Sequence, residues 1–192
     1  LLSNELFEDQ IKQCIIAKFV TTTAFQLIWT DILLNEFELV PDLIVGHSFG
    51  EIAAAYAQGY ITDEEALLIA YTRGLVLEQS KPNIPVGLMA AVGLSVDETL
   101  SRCPNNVYVA CDNAPKLVTI SGEKNAIESF LAKLETDGVF VRKLDSADLP
   151  LHTPYLGVAR DEFLSKLGEV FKKTRSSKPW VCSTNSNSLK WI

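Results

Sequence analysis

Leu43-Ile44-Val45-Gly46-His47-Ser48-Phe49-Gly50 is the stretch that decides the fold. Three apolar, mostly β-branched residues precede it in the manner of a strand buried inside a parallel sheet. Glu51 to Gln58 follow as an alanine-rich, helix-favouring run. Between them a G-x-S-x-G pattern sets Ser48 on a sharp strand-to-helix turn, with small glycines letting the turn close. Such a turn strains the serine backbone and exposes its hydroxyl. The helix that follows aims its N-terminal dipole at the same point, which suits a developing oxyanion. The competing reading is an ordinary strand-loop-helix turn that contains two glycines.

The chain around this motif has 192 residues, enough for one core plus a small subdomain. It is 47% hydrophobic and 21% charged, a globular balance. A net charge of -7 with no basic patch argues against a nucleic-acid partner. Cys14, Cys103, Cys111 and Cys182 show no C-x-x-C spacing, so neither a metal site nor a disulfide framework is expected, and a cytoplasmic setting is the default. The chain opens on Leu1 and Met89 is its sole methionine, which reads as a piece of a longer polypeptide. Lys18, Thr21 to Thr23, Gln26 and Asp31 break the apolar stretch near the start, so no membrane span is expected.

Residues 5–37 carry apolar positions at helical spacing, and Pro41-Asp42 ends that region. A second helix starts near Asp63, with Thr62 as N-cap and Glu65 completing a capping box, and runs to Arg73. Pro82 and Pro85 mark a boundary. From Gly87 the order is a strand over Leu88–Leu94, a short helix opened by Ser95, and strands at Val107–Ala110 and Leu117–Ile120. An amphipathic helix over Lys124–Thr136 follows, stopped by Gly138, and then a strand at Val139–Val141. This β-α-β-β-α-β order is ferredoxin-like. The expected fold class is therefore α/β. An α/β-hydrolase-like parallel-sheet subdomain spans 1–86 and 147–192, and a ferredoxin-like insert spans 87–146. A helix from Pro154 to Lys172 and a strand at Trp180–Ser183 complete the reading.

A serine hydroxyl needs a base, and the chain holds two histidines. His47 adjoins Ser48 in the tight turn, where neighbouring side chains diverge, so it reads as a pocket residue. His152 lies in a proline-flanked loop where the chain returns from the insert, which makes it the candidate base. Arg73, in Tyr71-Thr72-Arg73-Gly74, is either a helix-end cation or a guanidinium that grips a substrate carboxylate through paired hydrogen bonds.

Gly46-His47-Ser48-Phe49-Gly50-Glu51 followed by Tyr71-Thr72-Arg73-Gly74 resembles the acyltransferase domains of fatty acid and polyketide synthases. Met89-Ala90-Ala91-Val92-Gly93-Leu94-Ser95, Ala110-Cys111-Asp112-Asn113, Val118-Thr119-Ile120-Ser121-Gly122 and Gly138-Val139-Phe140-Val141-Arg142 are similar to the malonyl/acetyl transferase domain of animal, insect-like fatty acid synthase. The resemblance covers nearly the whole chain in order. It implies transfer of malonyl or acetyl from CoA to Ser48, then to the phosphopantetheine thiol of an acyl carrier protein. By the same resemblance His152 is the base, Phe49 N–H one oxyanion donor and Arg73 the malonyl carboxylate site. Lys116, Leu117 and Phe140 fall where acyl-CoA contacts are made, and no cofactor is bound by the domain itself. A ketosynthase neighbour and a homodimeric parent are implied as well.

Two departures stand out. The family's histidine motif carries an aromatic where this chain has Leu151, which leaves malonyl against methylmalonyl preference open. The upstream glycine-glutamine segment that supplies a second oxyanion donor is absent from the sequence, and one lost donor costs about 100- to 1000-fold. Two alternatives stay open: a serine hydrolase or thioesterase using Asp145 or Asp148 as its acid, and a degenerate domain kept for structure.

Overall fold

A computed structural model describes residues 14–170. The chain divides into two compact units. Gln79–Asp161 forms one, and the described residues flanking it form the other.

In the flanking unit, α1 (Ile15–Asp31) ends in a π-helical turn over Ile32–Glu36. Its buried positions Ile15, Phe19, Thr23 and Leu27 recur every four residues, so they form one stripe down the helix. That stripe faces α2 (Gly50–Ala57), which buries Ile52, Ala53, Ala54 and Ala55. Alanines on α2 keep the two helices close, and the Tyr56 hydroxyl donates to Asp31 Oδ1 at 2.6 Å to tie their ends. Next comes α3 (Asp63–Ser80). Its capping box is formed as the spacing predicts: Thr62 N–H donates to Glu65 Oε2 at 2.9 Å, and Glu65 N–H to Thr62 Oγ1 at 3.2 Å. Gly74 lets α3 approach α1, since a Cβ there would lie 2.7 Å from Ile16 Cα.

The strand expected at Leu43–Val45 is not formed. Leu43 and Val45 are more than half exposed, and no other strand of this unit lies among the described residues to pair with them. An apolar run becomes a buried strand only when partner strands satisfy its backbone. The helix expected over 5–37 is present from Ile15, and its earlier part lies outside the described residues, as does the strand expected at Trp180–Ser183.

The second unit is a four-stranded antiparallel sheet, β1 (Gly87–Val92), β2 (Val107–Ala114), β3 (Leu117–Glu123) and β4 (Val141–Leu144), in the order β2-β3-β1-β4. α4 (Val96–Arg102) and α5 (Lys124–Thr136) are the crossover helices, so the ferredoxin-like order is the one observed. α4 opens on a capping box between Ser95 and Glu98. One sheet face packs on α5 through Ala90, Val92, Val118, Ile120, Ile127, Phe130, Leu131 and Leu134. Each of the large side chains contributes about 1.5–3 kcal/mol by burial.

Several boundaries differ from expectation: α3 runs past Arg73 to Ser80, β1 ends at Val92 rather than Leu94, and β3 continues to Glu123. β4 begins at Val141, not Val139, because Val139 N–H closes the end of α5 on Leu134 carbonyl at 2.9 Å. β2 runs on to Ala114 through two register shifts, its polar end held by Asn113 Nδ2 donating to Thr119 Oγ1. The helix expected from Pro154 starts as a 3₁₀ turn, Pro154–Ala159, and becomes α6 (Arg160–Val170) only afterwards. Tyr155 within that turn donates its hydroxyl to Glu123 Oε1 at 2.8 Å, which anchors the turn to the end of β3.

Candidate active site

Ser48 has φ +53°, in the left-handed region that disfavours a side chain. It is half-buried, followed by Phe49 as the N-cap of α2. Gly50 N–H donates to His47 carbonyl at 2.9 Å and Glu51 N–H to Ser48 carbonyl at 3.3 Å, so the turn winds directly into the helix. Gly46 is required here, since a Cβ would meet the Glu51 backbone nitrogen at 2.5 Å, whereas Gly50 has room. His47 is exposed and, with Gly46, Gly50, Gln26 and Trp29, lines a groove along α1.

The same unit brings Arg73 to this turn. Its guanidinium carbon lies 4.8 Å from the Phe49 ring centroid and 5.6 Å from that of Phe19. The two rings meet at 4.0 Å, tilted by 43°. Burial lowers the Arg73 pKa from its ordinary value, and a guanidinium still keeps its charge at neutral pH. Among the described residues no carboxylate pairs with it. A desolvated cation held over two rings, with no carboxylate partner among the described residues, is chemically suited to an anionic ligand.

His152 belongs to the other unit. Its loop is strained and firmly held: Ala147, Asp148 and His152 all have positive φ, and residues in such conformations persist only where their surroundings enforce them. Leu149 and Pro150 are buried, and Gly87 N–H donates to Asp148 carbonyl at 2.8 Å. A Cβ on Gly87 would lie 2.5 Å from Pro150 Cδ, so the first residue of β1 must be this small. Thr153 Oγ1 donates to Pro150 carbonyl at 2.6 Å, and the Tyr155 ring stands edge-on to Tyr108 at 5.8 Å. Burial and the bond to Glu123 raise the Tyr155 pKa above the ordinary phenol value. Leu151, like His152, is half-buried.

Lys116, Leu117 and Phe140 are not beside His152. The register pairs Val92 with Val118 and with Val141, so Leu117 and Phe140 flank Gly93 at the far end of β1. Gly87, at the other end, holds the His152 loop, which puts about 20 Å of strand between the two groups. Lys116 lies in the turn next to Leu117 and is exposed. Of the two candidate acids, Asp148 Oδ1 is 3.5 Å from Lys124 Nζ, and Asp145 Oδ1 accepts from Ala147 N–H at 3.1 Å.

Phe19 and Tyr155 are the site-associated residues that sequence reasoning missed. Helical spacing marks Phe19 as an apolar face residue, but both lie far along the chain from what they touch, and no local spacing marks those contacts. Among the described residues, no group of three histidine, cysteine or acidic side chains could hold a metal ion. No helix among them is long and apolar enough to cross a membrane.

Comparison with known proteins gives this geometry a family. Residues 9–190 match the acyl transferase domain family. A highly reducing polyketide synthase of Sordaria araneosa is 41% identical over 177 residues, covering 88% of this chain and 6% of the relative. Another, of Aspergillus aculeatus, is 37% identical over 201 residues, covering 99% and 8%. The chain thus spans less than a tenth of the length of these relatives. Among solved structures, the acyltransferase domain of phenolphthiocerol/phthiocerol synthase A from Mycobacterium bovis (BCG) superposes with a TM-score of 0.77 at 23% identity, covering 91% of this chain and 65% of that one. The acyltransferase domain of SpnD in complex with 2-(pent-4-yn-1-yl)malonyl gives 0.70 at 25% identity, covering 80% and 36%. The two fungal relatives are polyketide synthases, where the motifs led to the expectation of an animal fatty acid synthase. This chain belongs to the acyl transferase domain family, in the form that polyketide synthases carry.

Proposed function

We propose that this domain loads malonyl or acetyl from CoA onto Ser48 and passes it to the phosphopantetheine thiol of an acyl carrier protein. The observation that carries this reading is Arg73, a half-buried cation against the elbow residue Phe49 with no carboxylate partner among the described residues. A structural relative was solved with a substituted malonyl group, an acyl chain that bears a carboxylate.

In this mechanism Ser48 Oγ attacks the thioester carbonyl while His152 takes its proton. Phe49 N–H stabilises the oxyanion, and Arg73 holds the free carboxylate of malonyl through paired hydrogen bonds. The C–S bond breaks, and the CoA thiolate leaves with the proton from His152. The carrier thiol then gives a proton to His152, attacks the Ser48 ester and regenerates the hydroxyl. His47 and Leu151 line the acyl pocket. Lys116, Leu117 and Phe140 contact the CoA portion, farther from His152 along the sheet.

The domain boundaries of this reading are 1–86 with 147–192 for the catalytic subdomain and 87–146 for the insert. The parent is a cytoplasmic, homodimeric synthase with a ketosynthase neighbour. Fatty acid synthase parentage rests on the motif resemblance, and polyketide synthase parentage on the relatives. Incubating the parent protein with malonyl-CoA and a pantetheine thiol separates transfer from hydrolysis. Acyl pantetheine is expected; free malonate alone would favour a hydrolase, and no acyl-enzyme at all a degenerate domain.

A further inference from the structure

We infer that Phe19 is a positioning residue that sets selectivity for carboxylated over uncharged acyl groups, an inference that rests on the acyltransferase reading and on Arg73 as its carboxylate site. Phe19 is 7% exposed and touches both partners at once. Its ring centroid is 4.0 Å from that of Phe49 and 5.6 Å from the Arg73 guanidinium carbon. Phe49 directly follows Ser48, so one aromatic side chain on α1 contacts both the nucleophile turn and the cation.

The packing explains how the contact is held. Gly74, next to Arg73, brings α3 against Ile16, and Ile16 lies one helical turn before Phe19 on the same side of α1. The close approach therefore delivers the Arg73 side chain onto the aromatic pair. With no carboxylate among the described residues to orient it, the guanidinium takes its direction from the two ring faces. Removing the Phe19 ring leaves the cation supported on one side and lets Phe49 tilt. An uncharged acetyl group has no carboxylate for the cation to meet, so its loading depends on this support far less.

The test uses the full-length parent and measures kcat/KM for acyl-enzyme formation from malonyl-CoA and acetyl-CoA. Wild type, R73A, the ringless F19L and F19M, and the ring-retaining F19Y are compared. F19L and F19M should lower the malonyl-to-acetyl ratio about tenfold, and F19Y should restore most of it. A wild type that loads neither substrate refutes the acyltransferase reading itself. A wild type whose ratio collapses in R73A but stands unchanged in F19L and F19M overturns the role of Phe19 alone. Equal loss of both substrates in the two ringless variants also overturns it, because that marks a plain core residue.

Discussion

Replacing Ser48 with glycine and, separately, with alanine turns the backbone of the nucleophile turn into a stability measurement. Both variants lack the hydroxyl, so any hydrogen bond it makes cancels from the comparison. At an ordinary backbone position alanine is more stable than glycine by about 0.5–1 kcal/mol, because glycine has more freedom to lose on folding. At φ +53° the order reverses, since a Cβ in the left-handed region costs about 1–2 kcal/mol. The net expectation is S48G more stable than S48A by about 1 kcal/mol, or about 2–4 °C in Tm for a domain of this size. Urea denaturation of the purified acyltransferase domain, followed by tryptophan fluorescence, reads the difference, and neither variant should form an acyl-enzyme. S48A matching or exceeding S48G would refute the strained turn.

Other outcomes follow from the same geometry. R73A should lower kcat/KM for malonyl loading by about 10- to 150-fold, the range of a lost charge-assisted hydrogen bond, with acetyl loading changed much less; equal losses in a loading assay would remove Arg73 from its role. G87A forces Pro150 to move and should cost about 1–3 kcal/mol in denaturant unfolding while slowing acyl transfer through displacement of the His152 loop. Unchanged stability there would show that the loop is not pinned on β1. The hydrogen bond to Asp31 raises the Tyr56 pKa to about 12 from its ordinary 10. The neutral phenol is favoured in the folded state, so this contribution to stability is complete below about pH 10 and lost as pH rises toward 12. An ultraviolet titration of wild type minus Y56F should show a step near 12, and a step near 10 would contradict the contact.

Signals local to a few residues were legible in the sequence. The Thr62/Glu65 capping box depends only on a spacing of three and forms as read, and the helix read as opened by Ser95 starts there, with a Ser95/Glu98 capping box that the structure adds. The β-α-β-β-α-β order was legible because alternating apolar strands and the stripe Ile127, Phe130, Leu131, Leu134 leave one consistent packing. Leu43–Val45 failed because burial of a strand depends on partners elsewhere in the chain, which three residues do not encode. β4 slipped by two because Val139 and Phe140 look like strand, yet Val139 N–H is already used to close a helix, while charged Arg142 and Lys143 carry the real ladder. In the candidate site the motif marked the turn at Ser48. The contact of Arg73 with Phe19 and Phe49 joins three separate segments, and nothing in any one of them announces it.

The central claim is that the hydroxyl at position 48 carries the acyl group. Peptide mapping by mass spectrometry after brief exposure of the parent protein to malonyl-CoA tests it directly. A malonyl ester on the peptide containing Ser48, discharged on adding a pantetheine thiol, is the predicted result. A malonyl adduct on any other residue, or a Ser48 peptide that stays unmodified while acyl transfer proceeds, would contradict the account.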